Sequence, residues 1–541
     1  MRPPFLLSLL SGLYATCVAA VLINPGLSNS SLPDGPGLTL DESFNIEQGV
    51  RLARAFGEFG PLLWFPENAA AVFREPDHLP DHPPLGRYII GCAHEWLGWL
   101  VPGVGEAVYS VAAARLGSAC AFGLTVLLLT EFCRRRFGTL TALTTALLLT
   151  GMPVLVGHAR LAALETCTNL AWTAATIPLV AWWTKSRPPT TAQAIVAGAC
   201  WGLLLLTKVQ GILLPPAVFL WSLLLHRQRA IRPLAAWTLA GIFIAFVGWP
   251  WLWQDPLDHV LRYLGRTSSS TSNRSVLYCW YLGTRFEDRL VPWHYPWLML
   301  LCVLPAGSVV GLFLRAARRR SPDRSELLKR SELLHRSELL LLLISAVPLV
   351  VFSIPGVPVY DGVRLFLPSL PGIAVVAGRG WAEWLGRCSL RLRVVFVIGL
   401  LLLPLPWTIQ PFAINQYGAL CGGNRGAAAL GLESCYWSDS LNGRFWEQVP
   451  EGAVVHVAPV SHPFQLSDLQ LLVPVVSERR IRLEPYLYGE SGEAPPERLL
   501  VLHRLADLRP ELRRTAREWV EEVRVELSGV PLARLLRRRV E

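Results

Sequence analysis

Repeated apolar runs of membrane length constrain this 541-residue chain more than any other feature. A transmembrane helix needs about 20 mainly apolar residues, with a range near 17–25. Charged residues make up 17% of the chain, whereas soluble domains carry roughly 25%. The sequence therefore predicts an all-α polytopic membrane protein with about eleven transmembrane helices. The runs are Phe5–Ile23, Val108–Phe132, Leu140–Val156, Thr166–Trp183, Ala192–Leu206, Ile212–Leu225, Leu234–Trp253, Tyr295–Leu314, Leu339–Ile354, Leu365–Ala377 and Val394–Phe412.

The distribution of positive charge predicts the orientation of the chain. The net charge is +10, but the basic residues recur in every second loop, as they do in cytoplasmic loops of membrane proteins. We therefore expect a cytoplasmic N-terminus, an extracytoplasmic C-terminus and no nucleic-acid partner. The basic residues are nearly all Arg, in a chain rich in Ala, Gly and Pro. Such a composition is typical of a GC-rich genome, which favours a bacterial protein and hence the bacterial inner membrane. A cleaved signal peptide is the alternative interpretation of Phe5–Ile23.

Composition divides the chain into two predicted domains. Residues 1–412 are predicted to form the membrane domain, in which residues 24–87 make an external segment and Glu47–Phe59 an interfacial helix. Residues 413–541 are less hydrophobic and are predicted to form a small extracytoplasmic α+β domain. Its expected elements are strands at Ala453–Val460 and Leu499–His503 and a helix at Arg509–Val525. The basic end at Arg534–Glu541 is expected to be solvated or to face lipid headgroups.

Two adjacent carboxylates, Asp41 and Glu42, follow the first apolar run and a short polar stretch. A charge at bilayer depth costs about 2.5–3.5 kcal/mol on insertion scales, so the pair is expected at the water edge of the membrane. One interpretation is an acidic pair at a helix N-terminus, where the helix dipole favours it. The other is a general base with a helper carboxylate, suited to sugar transfer through an oxocarbenium-like state.

Further ionisable residues beside apolar runs are candidate ligands for a phosphate. Charges are expensive to bury in a membrane, and fixed cations stabilise a departing phosphate. A mutual ion pair is the alternative for Arg160 and Glu165, and a rigid loop with a snorkelling Arg87 is the alternative for the last segment. The candidates are Arg115, Arg160, Glu165, Lys208 and Arg364, together with His82 and Arg87 in the segment Asp81-His82-Pro83-Pro84-Leu85-Gly86-Arg87.

Metal and disulfide sites stay open at this level. No ligand spacing such as His-x-x-x-His is present, which favours hydrogen-bonding roles for the external histidines over a divalent metal site. No cofactor is identified, and a divalent metal remains the alternative. Cys421 and Cys435 could form a disulfide or stay free thiols, because spacing alone does not fix connectivity.

At these residues the chain resembles glycosyltransferase family 39, the dolichyl-phosphate-mannose protein mannosyltransferases and their bacterial relatives. The His-Pro-Pro-Leu-Gly piece is its most specific part. Arg87 and Glu165 depart from the family, which usually has Lys and often Asp at these positions. The resemblance covers roughly Phe5 to Asp439, through Asp41-Glu42, residues 81–87, Arg115, His158–Glu165, Leu206–Gly211, Tyr360–Pro368 and Gly431–Asp439.

The resemblance implies a GT-C fold and an inverting transfer of a monosaccharide from a polyprenyl-phosphate donor. The acceptor would be an extracytoplasmic hydroxyl of a protein, a glycan or a lipid. It also implies Asp41 as the base and Glu42 as a positioning group, with cations such as Lys208 on the phosphate side. The family lies near the aminoarabinose transferases of lipid A, so mannose is one of several possible sugars.

Two other function classes stay open. One is a polytopic lipid-sugar flippase or transporter, and the other is an inactive relative that scaffolds partners. Transporters commonly bury ionisable residues near the bilayer midplane within repeated halves. Here the notable charges are expected at one membrane face and no duplicated halves are evident, which favours the transferase.

Overall fold

The computed structural model of the chain describes residues 3–25, 34–101, 109–268, 276–318, 328–402, 410–460, 464–487, 496–514 and 516–539. Up to residue 402 the described chain is helical apart from one hairpin, formed by β1 (Tyr278–Tyr281) and β2 (Thr284–Glu287). The α-helices of this part are Pro3–Ala20, Leu40–Phe59, Pro66–Val72, Pro84–Leu97, Val111–Arg136, Thr139–Thr150, Pro153–His158, Leu164–Trp183, Thr191–Leu205, Leu214–His226, Ile231–Gly248, Trp251–Gln254, Pro256–Ser268, Tyr295–Val303, Ala306–Arg318, Leu328–Val351, Ser369–Leu385 and Leu390–Leu402. Short 3-10 helices lie at Gly60–Trp64, Gly98–Leu100, Val209–Leu213, Arg227–Ala230 and Arg364–Phe366.

Few of these helices meet the length and hydropathy of a full membrane crossing. Among the described residues, three do: Val111–Arg136, Val209–Gly248 and Glu332–Val351. The pair Tyr295–Val303 and Ala306–Ala317, bent by 108°, would make up to 4 if it counts as one span. The prediction of about eleven spans is therefore not confirmed, since apolar runs such as Thr139–Thr150 form helices shorter than a crossing requires.

The C-terminal part contains a mixed five-stranded sheet. Its strand order is β4-β3-β5-β7-β6, with β3 parallel to both β4 and β5 and the remaining pairs antiparallel. The strands are β3 (Val454–Ala458), β4 (Arg482–Pro485), β5 (Arg498–Leu502), β6 (Trp519–Leu527) and β7 (Val530–Arg538). Short helices lie at Ala413–Asn415, Ala419–Cys421, Gly423–Ala429, Gly443–Trp446, Phe464–Leu472, Pro474–Glu478 and Pro510–Arg513.

The sequence predictions for this sheet are confirmed in part. The strands predicted at 453–460 and 499–503 correspond to β3 and β5. The helix predicted across Arg509–Val525 is wrong: most of its second half belongs to β6, which pairs with β7. Charged residues of good helix propensity suggested the helix, but pairing with the neighbouring strand overrides such a preference. The solvated end predicted at Arg534–Glu541 is wrong for its first residues, since Arg534 lies in β7, is buried and donates to the Leu512 carbonyl. Arg538 and Arg539 are exposed, as predicted.

The start of the helix Leu40–Phe59 is held by the C-terminal part. The Ser438 hydroxyl donates to the Leu38 carbonyl at 2.7 Å, and the Gly37 N–H donates to the Asp439 carbonyl at 2.7 Å. One apolar cluster joins both parts, including Leu38 and Ile46 from the first and Phe445 from the second. The predicted division at residue 412 stays a prediction.

The same helix packs closely on the helix Pro84–Leu97. A Cβ added at Gly91 would lie 1.9 Å from the Gly49 carbonyl oxygen, so glycine is required at this crossing. At Gly86 a Cβ would lie 2.7 Å from a Leu164 methyl, which is the close approach that glycine permits there. These contacts bring the segment 81–87 beside the helix that carries Asp41.

Candidate active site

Asp41 is the partly exposed carboxylate of a buried charge cluster. It lies in the first turn of the helix Leu40–Phe59, where the helix dipole favours a negative charge, and its side chain is 27% exposed. Its Oδ2 accepts a hydrogen bond from Nη2 of Arg364. Asp41 therefore combines a fixed position with access from outside the protein.

Arg364 connects three carboxylates. Its Nε donates to Glu165 Oε1 at 2.6 Å, its Nη1 donates to Asp361 Oδ2 at 3.1 Å, and its Nη2 donates to Asp41. The guanidinium also lies 4.7 Å from the centre of the Trp437 ring, within the range of a cation–π contact. Asp361 adopts a left-handed backbone, with φ 55°, in the turn that precedes Arg364.

Glu165 and Lys208 complete the cluster. Lys208 Nζ lies 2.6 Å from Glu165 Oε1, and both side chains are buried. The second oxygen of Glu165, Oε2, is buried without a hydrogen-bond partner. Buried polar atoms are normally satisfied, so this unpartnered oxygen distinguishes the cluster from a fully satisfied ion-pair network.

Glu42 belongs to a separate and closed pair. Arg115 Nε donates to Glu42 Oε1 at 2.7 Å, Nη2 donates to Oε2 at 2.8 Å, and both side chains are 0% exposed. The remaining N–H groups of Arg115 donate to the carbonyls of Ile23, Pro36 and Gly37. A guanidinium has about five N–H groups to donate. Every donor of Arg115 is therefore used inside the protein.

The oxygens of Glu42 are also shared with the backbone. Oε1 accepts from the Ala162 N–H at 2.7 Å, and Oε2 accepts from the Thr39 N–H at 2.9 Å, at the start of the helix. The structure therefore places Glu42 and Arg115 in a buried pair of their own, whose hydrogen bonds go to each other and to neighbouring residues rather than to the cluster of Asp41, Arg364, Glu165 and Lys208.

The segment 81–87 contains a neutral histidine, His82, and a buried arginine held by hydrogen bonds, Arg87. Arg87 is 0% exposed, donates to the Leu79 carbonyl at 2.7 Å and pairs with Asp81 at 2.8 Å. Burial lowers the pKa of His82 to about 4, so the ring is neutral at pH 7. Asp41 and Lys208 lie within electrostatic range of His82, and its Nδ1 is buried without a hydrogen-bond partner.

Arg160 is not brought into this cluster. It donates to the carbonyls of Gln410 at 2.8 Å and Val18 at 3.2 Å. The alternative in which Arg160 pairs with Glu165 is not what the structure shows, because the cations bonded to Glu165 are Lys208 and Arg364.

Sequence reasoning missed residues from the C-terminal part that complete the site. Trp437 stacks against Arg364, and Arg504 Nη2 lies 3.3 Å from Asp361 Oδ1. Trp437 fell within the segment 431–439 that carried the family resemblance, but nothing in the sequence linked it to Arg364. No sequence pattern pointed to Arg504 as a residue of the site.

The structure also shows where the cysteines and the candidate metal ligands of the described residues lie. Cys421 and Cys435 are both free thiols. Within the described ranges, no group of three or more His, Cys, Asp and Glu side chains is arranged to hold a metal ion.

Part of the chain matches a known protein family. Residues 81–253 match the family model described as dolichyl-phosphate-mannose-protein mannosyltransferase. The resemblance to glycosyltransferase family 39 is confirmed. The match includes Arg115, Glu165 and Lys208, whereas Asp41 and Arg364 lie outside it. Together with the apolar helices, it identifies the chain as an integral membrane protein.

Two proteins of known structure are similar to this chain. ArnT from Cupriavidus metallidurans in the apo state superposes with a TM-score of 0.49 at 16% identity, covering 97% of both chains. The same protein bound to undecaprenyl phosphate gives a TM-score of 0.47 at 14% identity, again over 97% of each. The apo oligosaccharyltransferase of Archaeoglobus fulgidus gives 0.41 at 12% identity, covering 89% of this chain and 65% of that one. A search of curated protein sequences finds no match.

Proposed function

We propose that this protein is a membrane glycosyltransferase of the GT-C type. It moves a monosaccharide, mannose or another sugar, from a polyprenyl-phosphate donor to an acceptor hydroxyl with inversion. The donor class is supported by the matching family model, whose name specifies a dolichyl-phosphate sugar. The reaction takes place on the extracytoplasmic side of a bacterial inner membrane.

The observation that carries this proposal is the convergence of Asp41, Glu165, Lys208 and Arg364. The four residues come from segments far apart in sequence, and Arg364 alone joins positions separated by 323 and 199 residues. The cluster combines an accessible carboxylate, two buried cations and an unpartnered carboxylate oxygen. A transfer from a phosphodiester requires a proton acceptor on one side of the sugar and cations on the other.

The chemistry runs as a single displacement. The acceptor oxygen forms the new bond to the anomeric carbon while Asp41 takes the hydroxyl proton. The bond between that carbon and the phosphate oxygen breaks, and polyprenyl phosphate leaves with the electron pair. Lys208 and Arg364 stabilise the charge that develops on the leaving phosphate, as fixed cations do in a site shielded from water.

Arg364 must change partners for this reaction. Its Nη2 is bonded to Asp41 Oδ2, an oxygen that a substrate hydroxyl would also need to reach. A donor phosphate competes with the carboxylates for Arg364 because Arg binds phosphate through paired N–H groups. Donor binding therefore frees Asp41 for the acceptor.

Glu42 acts indirectly in this scheme. Its pair with Arg115 fixes the residues before Asp41, because Arg115 holds the carbonyls of Ile23, Pro36 and Gly37. Arg87 fixes the segment that carries His82 in the same way. His82 is neutral and offers Nδ1 as a hydrogen-bonding group to the substrate.

The test is a reconstituted assay with a panel of polyprenyl-phosphate sugars and mass analysis of the acceptors. Asp41→Asn should reduce transfer by about 10²–10⁴-fold, the contribution of a positioned base. Glu47→Gln is the matched control, since Glu47 is an exposed carboxylate on the same helix. Full turnover by Asp41→Asn would remove the assignment, and movement of sugar lipid across the bilayer without a glycosidic product would favour the flippase.

A further inference from the structure

Two cysteines from different parts of the chain lie side by side. Cys302 belongs to the helix Tyr295–Val303 of the helical part, and Cys421 ends the short helix Ala419–Cys421 of the C-terminal part. The Cys421 thiol donates to the Cys302 carbonyl at 3.6 Å, and the two thiols also hydrogen-bond to each other. The two residues are 119 positions apart in sequence, so their contact is made by tertiary folding.

The backbones around the two cysteines are also in close contact. The Gly418 N–H donates to the Cys302 carbonyl at 2.6 Å. A Cβ at Gly418 would lie 2.5 Å from the Leu304 carbonyl oxygen, which is the close approach that glycine permits. A disulfide forms where two Cβ atoms can come within about 3.5–4.5 Å without backbone movement. The contacts of backbone and thiols therefore bring this pair within reach of a bond.

Two other buried thiols of this region are directed towards different partners. The Cys435 thiol donates to the Trp437 carbonyl at 2.6 Å, and Cys279 hydrogen-bonds to the Tyr295 side chain. The sequence left open a pairing of Cys421 with Cys435. The structure instead gives Cys421 the neighbouring thiol of Cys302.

We propose that Cys302 and Cys421, which are reduced in the structure, are oxidised to a disulfide in the cell. The inference rests on the location given under the proposed function, outside the bacterial inner membrane, because disulfides form and persist in the periplasm and are rare in the cytoplasm. It adds a covalent modification site that takes no part in sugar transfer.

The bond forms by exchange with the disulfide of a periplasmic dithiol oxidase. The Cys421 thiolate attacks one sulfur of that disulfide, which gives a mixed disulfide and releases one thiolate of the oxidase. The Cys302 thiolate then attacks the Cys421 sulfur and releases the second. The two cysteines lose two protons and two electrons, and the oxidase is reduced to its dithiol. Cys421 reacts first because it is partly exposed, whereas Cys302 is 3% exposed.

A cavity beside the pair gives a small disulfide access to it. Its volume is ≈ 550 Å³, which is comparable with small-molecule sites. Its wall includes Val303, which follows Cys302, and Gly422, which follows Cys421. Cystine, the disulfide of free cysteine, can therefore approach the pair from this cavity.

The bond would fix the segment that leads to Trp437. The Tyr417 hydroxyl donates to the Glu433 carbonyl at 2.8 Å, so the residues just before Cys421 are joined to those just before Trp437. A link from Cys421 to Cys302 fastens this segment covalently to the helical part, whose Arg364 contacts the Trp437 ring.

The first experiment determines the thiol state of the full-length protein as it exists in the cell. Membranes of a bacterial host with an oxidising periplasm are dissolved in denaturing detergent with N-ethylmaleimide, and peptides are mapped by mass spectrometry without reduction. We expect a linked peptide pair containing Cys302 and Cys421, and an alkylated Cys388. Alkylation of both Cys302 and Cys421, or a link from Cys421 to Cys435, would overturn the proposal.

Oxidation of the purified, reduced protein tests the geometry independently of its orientation in the membrane. Cystine should link Cys302 to Cys421 in the wild type, whereas Cys302→Ala should retain a mixed disulfide between Cys421 and free cysteine. Cys388→Ala is the matched control, because Cys388 is partly exposed and its thiol donates to the Trp384 carbonyl. This variant should form the link as the wild type does. A folded wild-type protein in which cystine forms no such link would contradict the inference.

Stability gives an independent measurement. Reductant should lower the unfolding temperature of the wild type and of Cys388→Ala by about 2–8 °C, the scale of a disulfide that closes a long loop. It should leave that of Cys302→Ala unchanged, and an equal shift in Cys302→Ala would assign the effect to another thiol pair and overturn the proposal.

Sugar transfer by the same preparations separates this inference from the proposed function. A linked pair in a protein without transferase activity would support the disulfide and remove the transferase. Free thiols in an active transferase would do the reverse.

Discussion

Asp41 and Glu42 are neighbours in sequence, yet the structure places them in opposite surroundings. Glu42 is 0% exposed, and each of its oxygens is bonded by Arg115 and by a backbone N–H. Asp41 is 27% exposed and shares Arg364 with two other carboxylates, one of which has an unpartnered oxygen. From this difference we infer that the saturated buried pair stabilises the structure and that the unsaturated, accessible carboxylate serves a ligand.

The closed pair can be broken directly. Glu42→Gln leaves Arg115 buried without its counter-charge, which costs about 3–5 kcal/mol of unfolding free energy. Thermal unfolding in detergent should show a large loss of stability for this variant. A stable Glu42→Gln protein would mean that the pair of Glu42 and Arg115 does not stabilise the fold.

The cluster of Asp41, Glu165, Lys208 and Arg364 can be weakened by removing one of its cations. Lys208→Met should lower kcat by about 10²–10³-fold at saturating donor, the effect of removing one group that stabilises a developing negative charge. Lys185→Met is the matched control, because Lys185 is exposed and lies just past the C-terminal end of the helix Leu164–Trp183, whose first turn holds Glu165. Equal kcat values for the two variants would exclude Lys208 from the phosphate site.

The C-terminal part should contribute less to kcat than Lys208 does. Trp437→Leu removes the ring beneath Arg364 and should reduce kcat by about ten-fold, the scale of a desolvated cation–π contact. Trp437→Phe keeps an aromatic face and should restore most of the rate. If the two variants behave alike, the ring does not position Arg364.

Two buried carboxyls of the C-terminal part make the stability of the folded protein depend on pH. Burial raises the pKa of Asp439 from 3.8 to about 7 and that of Glu433 from 4.5 to about 8. The folded state then holds protons that the unfolded state has released, so stability falls as pH rises from about 4 to about 8 and is level above that. Asp439→Asn should flatten this slope in unfolding measurements between pH 5 and 8, whereas an unchanged slope would contradict a buried neutral Asp439.

Asp41, Glu165, Lys208 and Arg364 were all named as candidates from the sequence, because charges beside apolar runs are costly and conspicuous. The structure brings the four side chains together, and their role in a reaction stays a prediction. Their pairing was not predictable, since it depends on contacts between segments up to 323 residues apart. The sequence grouped Glu42 with Asp41 through their adjacency and the family resemblance, whereas the structure gives them different partners because successive helix residues face different directions.

The errors in the fold have equally local causes. Counting apolar runs overestimates spans where a run is divided between short helices, as around Thr139–Thr150. The charged segment before Val525 has the composition of a helix, but it becomes β6 because β7 provides a pairing partner.

The most direct test measures activity and stability together for Asp41→Asn and Glu42→Gln. We predict a crossed result: Asp41→Asn retains the wild-type unfolding temperature and loses transfer by about 10²–10⁴-fold, whereas Glu42→Gln unfolds at a clearly lower temperature. Full transfer by Asp41→Asn, or a loss of stability in Asp41→Asn that matches that of Glu42→Gln, would contradict the account.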